Sequence, residues 1–178
     1  ILFLQHLFTP GSESNIDRLP KIVFALLYLF IPTSLAISIS FLDGNWEPRY
    51  LLALFFILWA NDTFAYLSGM IFGKHKLIPR LSPKKTVEGF IGGLIGSLIV
   101  GYALSFFWQI LSLPEWLIFA AIVSVSGTVG DLFESSLKRS AGIKDSGNLI
   151  PGHGGILDRL DSFLIAVPFA YFYLLFFT

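Results

Sequence analysis

Three long stretches without a charged residue organise the chain: Ile22 to Leu42, Gly89 to Leu113, and Tyr50 to Gly73, the last broken only by Asp62. Each reaches at least the ~20 residues that a helix needs to cross the hydrocarbon core of a bilayer. Two shorter apolar stretches, Trp116 to Gly130 and Ser162 to Thr178, each abut a charged segment. The pattern predicts an all-α, polytopic membrane protein with five spanning helices, and Ile1 to Phe8 as the tail of a further one. Residues 1–19 are then the end of a preceding helix and a loop, and 20–178 a transmembrane domain. The chain opens with Ile inside an apolar run, so amino-terminal helices of a longer protein are expected to precede it.

Composition agrees. The chain is 54% hydrophobic and 13% charged, with a mean hydropathy of +0.74, well outside the range of soluble domains. The absence of cysteine excludes disulfides, thiolate catalysis and cysteine zinc sites, and three isolated histidines (His6, His75, His153) make a His-rich metal centre a poor fit. With five helices, segments 9–21, 71–88 and 138–157 lie on one side, and 43–49 and 114–115 on the other. With Arg159 assigned to the first side, 11 of the 12 Lys and Arg fall there, only Arg49 opposite. The positive-inside rule makes that side cytoplasmic.

The remaining charge is concentrated. Five acids (Asp131, Glu134, Asp145, Asp158, Asp161) and four bases (Lys138, Arg139, Lys144, Arg159) fall within residues 131–161, and a second, basic loop covers 74–88 on the same side. Basic loops often serve only to orient a membrane protein, but orientation does not call for the acids. Facing basic and acidic loops suit a divalent cation and phosphates held together in a polar cavity open to the cytoplasm.

Asp131 and Glu134 are three apart, as are Asp158 and Asp161, so each pair shares a helix face and the two faces can converge. Asp158 and Asp161 alone would equally serve a helix N-terminus. Glu134 and Asp145 are weaker candidates, since each could simply pair with a neighbouring base. Asp62 sits mid-helix, where an ionised acid costs ~2.5 to 3.5 kcal/mol, which points either to a polar cavity or to a hydrogen bond between helices. ProGlyHisGlyGly at 151–155 precedes the last helix; such glycines open backbone N–H groups to an anion or merely make a turn. Lys84, Lys85, Lys138, Arg139, Lys144 and Arg159 are candidate phosphate binders, and His153 could touch a phosphate or make an ordinary loop hydrogen bond. The GxxxG pairs Gly89/Gly93 and Gly92/Gly96 indicate close helix packing, within the chain or across a dimer. The many Phe and Tyr are expected to face lipid.

SerLeuLysArg, LysAspSerGly and ProGlyHisGlyGlyIleLeuAspArgLeuAsp (136–161) resemble the signature of the phosphatidate cytidylyltransferases, or CDP-diacylglycerol synthases. AsnAspThrPheAlaTyr (61–66), PheGlyLysHisLys (72–76) and SerProLysLysThrValGluGlyPheIleGlyGly (82–93) add to it, so that the likeness covers roughly 55–178. The resemblance implies that 20–178 is the catalytic portion, transferring CMP from CTP to phosphatidic acid to give CDP-diacylglycerol and pyrophosphate. It implies magnesium as cofactor, leaves room for a second, monovalent cation, and suggests a bacterial inner membrane. Asp131, Asp158 and Asp161 become the expected metal ligands, with Asp62 directed to the same cavity. Lys138, Arg139, Lys144 and Arg159 would hold the CTP phosphates, with His153, Gly154 and Gly155 beside them, while Lys84 and Lys85 would receive the lipid phosphate. The expected partners are the two substrates and membrane lipids, with no nucleic acid, and a homodimer is compatible with the glycine pairs. A CDP-alcohol phosphotransferase would show its aspartates in a different order, and an ion or anion transporter would place its charges at the midplane in paired halves.

Overall fold

The computed structural model describes residues 15–42, 44–143, 146–147 and 155–177. The expected helix tail at 1–8 and the candidates Lys144, Asp145, His153 and Gly154 lie outside the described residues. Among the described residues there are five long helices: α1 (Asn15–Ile39), α2 (Arg49–Phe72), α3 (Val87–Phe107), α4 (Leu113–Ser140) and α5 (Leu157–Phe177). Each contains a stretch long and apolar enough to cross a membrane.

The helices form a bundle in which α2 packs along α3, α4 lies between α3 and α5, and α1 lies against α5. Leu54 and Ile57 of α2, Trp116, Phe119 and Val123 of α4, and Leu164 and Val167 of α5 are fully buried and make the core. The outer faces are apolar and exposed, Phe30, Trp59, Ile99 and Phe176 among them, as lipid contact requires.

Glycine sets how closely the helices approach. A Cβ on Gly93 would fall 2.8 Å from the Asn61 side-chain oxygen, one on Gly96 2.5 Å from the Phe64 ring, and one on Gly89 2.9 Å from the Ala65 carbonyl oxygen. Both GxxxG pairs therefore face α2 of the same chain. The seam between α4 and α5 is built likewise, since a Cβ on Gly130 would lie 2.6 Å from the Asp161 carbonyl oxygen. Polar cross-ties add to this: the Ser124 hydroxyl donates to Asn61 Oδ1 (2.7 Å) in the buried junction of α2 and α4.

Three boundaries differ from expectation. The segment after α2 is not a plain loop but an antiparallel hairpin, β1 (Lys76–Ile78) and β2 (Ser82–Thr86), with Lys76 opposite Thr86 and Ile78 opposite Ser82. The turn expected at 114–115 lies earlier, because Leu113 begins α4 and the Glu115 carboxylate caps the Ser112 N–H at 2.6 Å. Finally, α4 carries Asp131 and Glu134 as expected but runs on to Ser140, past the loop boundary expected at 138, so Lys138 and Arg139 are helical too.

Candidate active site

The charged residues meet at one end of the bundle, and α4 organises them. Asp131, Glu134 and Lys138 follow at spacings of three and four, so they share a face, and that face lies toward β2 and the start of α5.

The hairpin is fixed before it delivers anything. Thr86 caps α3, its hydroxyl accepting the Gly89 N–H at 3.1 Å, while Glu88 in the first turn accepts the His75 backbone N–H at 3.2 Å and meets His75 Nδ1 at 2.6 Å. The carboxylate also suits the positive end of the helix dipole. With both strand ends tied to α3, Lys85 of β2 reaches across and forms an ion pair with Asp131 of α4. Its neighbour Lys84 is exposed.

Lys138 is the centre of a second group. Its ammonium lies 2.6 Å from Asp158 Oδ1 on α5 and 2.5 Å from Glu134 Oε2 one turn back on its own helix. Asp158 Oδ2 accepts three more hydrogen bonds, from the Ser146 N–H (2.9 Å), the Ser146 hydroxyl (2.8 Å) and the Gly155 N–H (2.8 Å). Asp158 thus ties Ser146 and Gly155 to Lys138 of α4. Gly155 is buried, and a Cβ there would come within 2.2 Å of the Ser146 hydroxyl oxygen, so the glycine is required by close approach.

Glu134 is wholly buried; its Oε2 meets the Lys138 ammonium, and among the described residues Oε1 has no hydrogen-bond partner. Tyr28 of α1 is turned inward beside this group, contrary to the lipid-facing expectation: its hydroxyl is buried and it interacts electrostatically with Glu134 and Asp161. Its ring packs on Phe133 at 5.7 Å.

Asp161 interacts electrostatically with Asp131 and Asp62, and Asp62 with Asp131 and Lys85. Three carboxylates from α2, α4 and α5 therefore share one electrostatic neighbourhood. Asp131 has Lys85 and a 3.4 Å contact from the Ser135 hydroxyl, but the other two are short of donors among the described residues: Asp161 accepts the Ser162 N–H at 2.6 Å, and Asp62 has only a long 3.5 Å contact from the Asn61 amide. Among the described residues, no three acids are close enough to hold an ion between them. Hard oxygen donors with mutual repulsion and few hydrogen bonds nevertheless fit a magnesium ion, which takes one or two carboxylates and completes its shell with water and phosphate oxygens. Arg139 and Arg159 are exposed at the same end, Arg139 donating to the Ile143 carbonyl oxygen at 3.4 Å.

Sequence reasoning missed Ser146, whose hydroxyl and amide both serve Asp158, whereas Glu134 pairs with a neighbouring base, Lys138, as expected. Ser146 sits within LysAspSerGly, so the motif was visible, but its partner is twelve residues away. Burial of Glu134 follows from its place on the Gly127/Gly130 side of α4, whose glycines meet Asp161 and Ser162 of α5.

Comparison with known proteins bears on what this arrangement serves. A model of the cytidylyltransferase family matches residues 1–177. The phosphatidate cytidylyltransferases of Staphylococcus haemolyticus (strain JCSC1435) and Staphylococcus aureus (strain COL) are each 52% identical to the chain over 122 residues, which is 67% of this chain and 46% of the relative. That of Staphylococcus epidermidis is 48% identical over the same length and shares. The match spans about half the length of these curated relatives.

Proposed function

The chain belongs to the cytidylyltransferase family, and on that premise we propose that it supplies the catalytic portion of a phosphatidate cytidylyltransferase, an integral membrane enzyme transferring CMP from CTP to phosphatidic acid. The observation that carries the reading is the convergence of Lys85, Lys138 and the carboxylates of α2, α4 and α5 at one end of the bundle.

The chemistry asks little of the protein beyond charge and position. A lipid phosphomonoester loses its second proton around pH 6, so it is already an anionic nucleophile near neutrality. One of its oxygens forms a bond to the α-phosphorus of CTP as the bond from that phosphorus to the β-bridging oxygen breaks, and pyrophosphate departs with the electron pair. No serine, cysteine or general base takes part. The protein aligns the reactants in line and relieves repulsion between anions.

In this reading one or two of Asp62, Asp131 and Asp161 would hold magnesium, which would supply neutralisation of the polyphosphate charge. Lys85 and Lys138 each face a carboxylate, so ammonium groups that turned to phosphate oxygens would leave carboxylate oxygens free for the cation. In the same reading Lys138, with Arg139 and Arg159, would hold the departing pyrophosphate, and Lys84 and Lys85 would receive the lipid phosphate. Asp158 has both oxygens engaged, which suits it to holding Lys138 and the loop and requires those partners to move if it is to ligate a metal. The site faces the cytoplasm of a bacterial cell in this reading, as the distribution of bases supports.

The test is transfer of label from α-labelled CTP into lipid, with phosphatidic acid and with or without magnesium, by this chain and by a version carrying the additional length of its relatives. Magnesium-dependent labelled lipid is expected from at least one of the two. A folded, extended protein that labels no lipid overturns the proposal.

A further inference from the structure

The hairpin carries more positive charge than the site uses. Between Phe72 and Glu88 the sequence holds five Lys and Arg and no acid. Lys85 alone turns to a carboxylate, that of Asp131. Lys74, Lys76, Arg80 and Lys84 are exposed, and no ion pair engages them among the described residues.

The position of this charge is as informative as its amount. The hairpin hangs between the last residue of α2, Phe72, and the first of α3, Val87, so it lies at the level where two spanning helices leave the bilayer. Apolar side chains are exposed beside the bases: Ile78 on β1, Val87 at the start of α3, and Ile71 and Phe72 at the end of α2. Bases interleaved with exposed apolar groups at this depth match the boundary between acidic headgroups and acyl chains. A soluble polyanion would gain nothing from the apolar groups. Orienting the protein needs bases near helix ends, but does not need them on an ordered hairpin tied at both ends to α3 by Thr86 and Glu88.

We propose that the exposed part of the hairpin, Lys74, Lys76, Arg80 and Ile78, is a docking strip for anionic lipid headgroups of the surrounding leaflet, gathering acidic lipid beside Lys85. Recognition is of headgroup charge. A Lys or Arg near an anionic surface favours it by about five-fold at low ionic strength, and salt screens the attraction.

The proposal is tested without turnover, so its failure is distinguishable from failure of the cytidylyl-transfer reading. The chain is reconstituted in phosphatidylcholine bilayers with trace spin-labelled phosphatidylglycerol or spin-labelled phosphatidylcholine, and the motionally restricted fraction of each probe is measured. The unaltered chain should restrict phosphatidylglycerol at least about two-fold more than phosphatidylcholine. The triple variant Lys74→Gln, Lys76→Gln, Arg80→Gln should bring the two probes to parity, as should 0.5 M NaCl, which shortens the screening length to about 4 Å. Parity in the unaltered chain, or a preference that survives in the folded triple variant, overturns the proposal. If the triple variant does not insert, the unaltered chain decides: a preference abolished by salt and reduced in Arg80→Gln supports the strip, and one indifferent to both overturns it. Loss of the preference on adding CTP assigns the strip to the nucleotide and also overturns it.

Discussion

Lys138 stands between two carboxylates contributed by different helices, one of them without contact with solvent. Removing one partner of a buried ion pair costs about 3–5 kcal/mol, because the other charge is left without compensation. Lys138→Met should therefore lower stability in detergent by that order, measured by thermal or denaturant unfolding. Adding Glu134→Gln should restore a large part of the loss, giving a coupling between the two positions of about 0.5–3 kcal/mol; simple additivity would show that the contact contributes nothing. Asp158→Asn tests the other half of the group. An amide keeps one acceptor oxygen and presents an NH2 to donors, so the Ser146 and Gly155 amides should exchange with solvent about ten-fold faster, as loss of one to two kcal/mol of hydrogen bonding implies. At this scale the sequence disclosed the residues but not their partners. Lys138, Asp131 and Asp158 stood out by charge alone, whereas Ser146 and Tyr28 are ordinary residues whose roles arise only when α1, α4 and α5 come together.

Among the elements, the seam between α2 and α3 depends on the absence of side chains. Gly93→Leu would drive its side chain into Asn61, whose oxygens lie within 2.9 Å of a Cβ at that position. Overpacking of this kind costs about 1–3 kcal/mol, and the prediction is a lowered unfolding midpoint in detergent. Ile95→Leu, on the exposed face of the same helix, should leave the midpoint unchanged. The five helices were legible because each contains an apolar run near the length of the bilayer. The hairpin was not, because its strands are three and five residues long with a break in register, and Pro79 and Pro83 interrupt any alternation. The last residues of α4 were read as loop for a related reason: the bases Lys138 and Arg139 marked a boundary, and a helix continues through charged residues when their face meets other polar groups.

For the whole molecule, the distribution of bases divides the bundle into two ends. Arg49, the one base assigned opposite, is engaged by Glu47 through Nε at 2.6 Å and a second contact at Nη2, so it adds little net charge to its end. The chain has no cysteine, which makes labelling from either side direct. In oriented vesicles, Pro79→Cys and Asn45→Cys should react with an impermeant maleimide from opposite sides, position 79 from the cytoplasmic one. Labelling of both from one side would require a different number of crossings between them.

The length of α4 has a consequence of its own. From Leu113 to Asp131 the helix rises about 27 Å at 1.5 Å per residue, close to the ~30 Å thickness of the hydrocarbon core, and its charged face starts there. The two lengths differ by only about 3 Å, roughly half a helical turn. A bilayer of longer-chained lipids must thin around the bundle, or α4 must stand more upright, to keep those carboxylates wet. Membrane thickness thereby becomes a quantity to which the charged end of this bundle responds.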